Sequence, residues 1–126
     1  MSYYTSVSLD WHSKETNSEH NPDLSFQLLK PVVEKWCDEM GCAFEGGVAD
    51  DLQELLERGN CYGFNGMYAG LTIDLFYTIS ANFPNIRFIV RGVGEEYTDF
   101  WLRVILNGEM LFGSGPFEID ENNNWS

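Results

Sequence analysis

Apolar and polar residues alternate from the start of the chain. In Tyr4-Thr5-Ser6-Val7-Ser8-Leu9-Asp10-Trp11, Val7, Leu9 and Trp11 alternate with Ser6, Ser8 and Asp10. That period of two predicts a strand with one buried and one wet face. Residues 12–24 are polar, hold both His12 and His20, and read as a loop. The period then lengthens. In Pro31–Gly41, Val33, Trp36, Cys37 and Met40 fall on one face of a helix. Pro31 suits the first turn, where its missing N–H has no partner to lose, and Gly41 is a natural stop. Pro31 would kink any helix that also took in Leu24–Leu29, so the reading leaves that stretch open.

Phe44 to Val48 reads as a glycine-containing loop, and Asp50–Gly59 as a short helix with an acidic first turn. Asp51 and Glu54 have capping-box spacing, with Asp51 in the cap role. Gly59, Gly63, Gly66 and Gly70 among aromatics make 59–70 an irregular connection. Leu71–Phe83 reads as a helix that aligns Leu71, Leu75 and Ile79 and ends before Pro84. The remainder reads as β: a strand over Ile86–Gly92, a second over Asp99–Leu106, and a third from Glu109 to Phe112. Asn107-Gly108 is a type I′ hairpin turn between the last two, since both positions need positive φ. Phe117-Glu118-Ile119 could add a short edge, and 122–126 reads as a disordered polar tail. The expected architecture is a single α+β domain over residues 1–126. It has one antiparallel sheet with two to three helices on one face, ferredoxin-like or related.

Charge changes this picture most. Twenty Asp and Glu face seven Lys and Arg, for a formal net charge of -13. Residues 1–60 hold 12 acids and 4 bases, and residues 61–126 hold 8 and 3, so the acidity is distributed. Phosphate contacts need clustered Lys and Arg, so direct nucleic-acid binding is disfavoured. An anionic membrane surface would repel the chain, whereas a basic protein would be attracted. Three cysteines, Cys37, Cys42 and Cys61, cannot all pair. No stretch approaches about 18 apolar residues, and the opening residues form no signal core. A reduced, cytoplasmic setting is therefore expected.

Candidate chemistry is sparse. Cys37 shares an apolar helix face with Trp36, which favours a core role over that of a nucleophile beside His12 or His20. Cys37, Cys42 and Cys61 lack a second paired spacing for zinc. The acids Asp50, Asp51, Glu95, Glu96 and Asp99 lack calcium-loop spacing. Gly92-Val93-Gly94 leads into Glu95-Glu96, which would repel phosphate, so a β-turn is the better reading. No catalytic residue, metal or cofactor is expected. Two acidic surfaces stand out instead. Glu95, Glu96 and Asp99 surround Tyr97 on a strand connection, and Asp50, Asp51, Glu54 and Glu57 lie along the short helix. A solvated hairpin and a capped helix are the plain alternatives.

The segment Ile79-Ser80-Ala81-Asn82-Phe83-Pro84-Asn85-Ile86-Arg87-Phe88, then Gly92-Val93-Gly94-Glu95-Glu96, Asp99-Phe100-Trp101 and Asn107-Gly108, resembles part of a known family. Residues 75–110 are similar to the C-terminal part of YubB-like, ferredoxin-like proteins of plasmids and phages. The Asn-Trp-Cys opening usual there is absent; only Trp11 could stand in for it. The resemblance implies an α+β sheet-and-helix fold and a mobile-element origin, and it carries over no functional residue.

The expected function is that of an acidic, non-enzymatic phage or mobile-element protein that binds and inhibits a basic host protein. An anti-CRISPR inhibitor that mimics nucleic acid in the effector's groove is one form of it. An immunity protein against a basic toxin nuclease uses the same physics. A small enzyme or ligand-binding domain would instead use the aromatic-rich 61–77 region, with Tyr62 and Tyr68, as a pocket.

Overall fold

A computed structural model of the chain describes residues 3–14, 22–95 and 98–116. His20, Glu96, Tyr97, the expected edge at Phe117–Ile119 and the tail at 122–126 lie outside the described residues. The elements run β1 (Thr5–Ser13), α1 (Phe26–Met40), α2 (Ala49–Arg58), β2 (Asn60–Gly63), α3 (Ala69–Asn82), β3 (Ile86–Val93), β4 (Phe100–Leu106) and β5 (Glu109–Ser114). All five strands join one sheet in the order β2-β1-β3-β4-β5, every pair antiparallel. The α+β fold with helices over one face is the one expected. No helix of the described residues is long and apolar enough to cross a membrane.

The alternation in β1 decides which face is covered. Thr5, Val7 and Leu9 are buried beneath the helices, while Ser6, Ser8 and Asp10 face outward. In β3, Ile86, Phe88 and Val90 are buried, with Gly92 continuing the row. Trp101 and Ile105 of β4 face the same way. Gly92 has no Cβ because Trp101 lies over it: an added methyl would sit within van der Waals overlap of the indole. Trp101 Nε1 is the one buried side-chain N or O among the described residues without a hydrogen-bond partner. The hairpin turn is as expected, with Asn107 at φ 51° and Gly108 at φ 74°.

Four local expectations change. His12 belongs to β1 and does not lie in a loop. α1 begins at Phe26 and passes through Pro31. Leu29, Val33, Trp36 and Cys37 are all buried on one stripe. That stripe outweighs the single backbone bond Pro31 removes. Met40 is 46% exposed and does not join it. The 59–70 connection contains β2, a four-residue edge strand whose Cys61 and Gly63 are buried.

α1 and α3 are tied by Trp36 Nε1, which donates to Asp74 Oδ2 at 2.9 Å. Arg103 is committed to the β4–β5 hairpin, donating to the carbonyls of Leu102, Ser114 and Gly115.

Candidate functional site

α2 and β2 are adjacent in sequence and lie back to back. Gly59, at φ 80°, closes α2 with its N–H on Leu55 O at 2.8 Å and reverses the chain into β2. The first turn of α2 thereby comes beside the far end of β2. There Asp51 Oδ2 accepts the Phe64 N–H at 2.8 Å, and the Cys61 thiol approaches Oδ1 at 3.9 Å. Asp51 is not a helix cap: α2 starts after Val48, which makes no side-chain cap bond. The capping-box spacing was coincidental, because the carboxylate is claimed by a backbone donor 13 residues away.

The neighbours are shaped around that carboxylate. A Cβ on Gly63 would lie within 3.0 Å of all three Asp51 carboxyl atoms. Phe64 takes a positive φ of 53°, rare for an aromatic. Its ring is 1% exposed and tilted against Phe76, with centroids 6.4 Å apart. Burial raises the Asp51 pKa above its ordinary value. The charges of Asp50 and Glu54 add to this, and the Phe64 N–H and Cys61 thiol oppose it. Cys61 is pushed upward by its own burial, then by Glu54 and Asp51. Burial, then Cys42 and Asp38, push Cys37 up to about 11. Burial raises Cys42 also. None of these thiols has the lowered pKa of a reactive cysteine.

Tyr3 couples this corner to the β3–β4 loop. Its carbonyl accepts the Gly66 N–H at 2.8 Å, and its own N–H donates to Asn65 Oδ1 at 3.0 Å. Its hydroxyl donates to Asp99 Oδ2. The registers Thr5↔Gly63 and Ser6↔Val93 put the ends of β2 and β3 together. Asp50, Asp51, Glu95 and Asp99 therefore gather at one end of the sheet. Asp50 and Glu95 are exposed. Asp51 and Asp99 are half-buried and occupied by internal bonds. Glu54 and Glu57 lie farther along α2, and Glu54 is 3.7 Å from Arg58. Asp50 and Asp51 from one acidic set, and Glu95 and Asp99 from the other, thus share one end of the fold, with Asp51 and Asp99 turned inward.

Beside them a cleft of about 570 Å³ opens around the outer edge of β2. Asp50 and Asp51 line it from α2, Gly46 and Gly47 from the preceding turn, Tyr4 from just before β1 and Tyr62 from β2. The two tyrosine rings stack, with centroids 5.3 Å apart and planes at 27°. Of the two tyrosines named from sequence, Tyr62 lines the cleft and Tyr68 does not. Tyr4 was missed because nothing local links it to residue 62. Among the described residues, no group of three or more His, Cys, Asp and Glu is placed to hold a metal ion.

Comparison with protein families, with curated proteins and with solved structures finds no match.

Proposed function

We propose that the chain is a non-enzymatic binding protein whose acidic end engages a basic protein surface. One observation carries the reading: Asp50 and Glu95, 45 positions apart, are both exposed at the end of the sheet that Tyr3 ties together. The net charge of -13 supports it by steering cationic partners toward the molecule. A mobile-element inhibitor of a basic, nucleic-acid-binding effector fits that chemistry, and so does an immunity protein for a basic nuclease.

The test is capture of a partner from nuclease-treated host lysate, followed by purified binding at low and high salt. We expect one stoichiometric basic partner, and Asp50→Lys with Glu95→Lys should slow its association by about tenfold at low salt. A captured partner that binds the double variant as well as the wild type would overturn the reading, as would capture of no partner.

A further inference from the structure

The cleft at the outer edge of β2 has a composition that the acidic end as a whole does not explain. We propose that it is a socket for a guanidinium group, the side-chain head of an arginine presented by the partner; this deepens the reading above and rests on it.

Three features favour that guest. First, at about 570 Å³ the cleft falls within the range of small-ligand sites and can take an arginine side chain with its stem. Second, Tyr4 and Tyr62 supply aromatic surface. Tyr62 is stacked yet 62% exposed, so its ring is accessible to a planar cation. Third, two carboxylates share the same cleft. Asp50 is exposed. Asp51 holds one donor on each oxygen, the Phe64 N–H and the Cys61 thiol. A carboxylate offers about four lone-pair sites, so acceptor capacity remains. Burial also partly desolvates the Asp51 carboxylate and raises its pKa, and a cation in the cleft would offset that cost.

The competing guests fit less well. An anion would meet Asp50 and Asp51. An apolar ligand would deepen the desolvation of Asp51 without pairing it. An ammonium could pair with a carboxylate, but it lacks the flat face that lies on tyrosine and the fork that matches a carboxylate. The cleft has no cation of its own: no Lys, Arg or His is among the described residues that line it.

The probe is Nα-acetyl-arginine-methylamide, titrated into the full-length chain and followed by amide chemical shifts, with the lysine analogue alongside. We expect saturable shifts at Gly46, Gly47, Tyr62, Gly63 and Phe64, with the arginine probe binding at least about fivefold tighter than the lysine probe. Tyr62→Ala and Asp50→Asn change exposed side chains, so the fold should survive. Each should weaken the arginine probe by about fivefold. Shifts that map elsewhere, equal binding of the two probes, or full binding by both variants would each overturn the socket. Failure here is separable from failure of the parent reading. A basic partner that is lost on charge reversal while the arginine probe ignores the cleft refutes the socket alone. An arginine probe that fills the cleft when no basic partner exists refutes the partner alone.

Discussion

The two edges of the sheet are built in opposite ways. β2 is four residues long, and α2, whose Leu52 and Leu55 are fully buried, packs against it. Its flank is polar and shaped, with Asp51 bonded to Phe64 and a glycine where a side chain would collide. β5 is longer and more exposed. Met110, Leu111 and Phe112 are 53%, 56% and 56% exposed, and its outer backbone pairs with no described strand. Edge strands invite pairing with other chains, and short strands and nearby charge are common ways of blunting them. The β2 edge uses both. Within β5, Glu109 at its start is the one charged residue. The difference teaches that specific geometry is concentrated on the β2 side of the sheet.

The largest effect expected from this contrast is in stability. Leu52→Ala should cost about 3 kcal/mol in chemical denaturation, as deletion of a fully buried leucine does. Leu111→Ala on β5 should stay within about 0.5 kcal/mol. Equal losses at the two sites would erase the distinction between the edges.

Next comes Gly63→Ala, whose methyl group would enter the Asp51 carboxylate. It should cost about 1–3 kcal/mol. Asp51→Ala in the same chain should recover part of that loss, giving a coupling of at least about 0.5 kcal/mol in a double-mutant cycle. Strict additivity would mean that the carboxylate does not fill the space.

A smaller effect follows from burial of Asp51. Its folded pKa is raised, so the folded state holds the proton more tightly than the unfolded chain. This group's contribution to stability is therefore full below its unfolded pKa and declines as pH rises through the raised folded value. Asp51→Asn lacks that decline. Its denaturation midpoint should gain on the wild type as pH rises from about 3.5 to 7. A constant gap across that range would remove the desolvation argument.

Thiol reactivity sharpens the comparison further. Cys37, pushed up to about 11, and the buried Cys61, also raised, should resist a chromogenic disulfide reagent at pH 8 until the chain unfolds. Half-buried Cys42 should react first. Prompt labelling of Cys61 would show the β2 side to be open. A small net change is expected for Trp101→Phe, which removes the orphaned indole N–H together with part of the ring. The two effects oppose each other, and a net change within about 1 kcal/mol is expected.

Much of the fold was legible because its signals are local. The β1 alternation, the glycine that ends α2 and the Asn107-Gly108 turn each depend on residues within a few positions. β2 escaped because four residues ending in glycine carry no readable period. α1 was foreshortened because Pro31 is a local prohibition, while the Leu29–Cys37 stripe that overrides it acts only through packing. The site was half legible. Asp50 and Glu95 were identified as surface acids, and both are exposed. Asp51 and Asp99 were given the same role, yet each is tied inward.

By itself, then, the sequence determined an acidic α+β fold and most of its element boundaries. Periodicity, turn chemistry and net charge are properties of neighbours and sums. The tertiary structure alone decided which acids meet, which remain free and where a cleft lies. Those outcomes rest on contacts such as Asp51 with Phe64, 13 residues apart, and Tyr3 with Asp99, 96 apart. Nothing in the local pattern specifies such partners; they are set by how α2 folds back on β2 and by how the strand ends align.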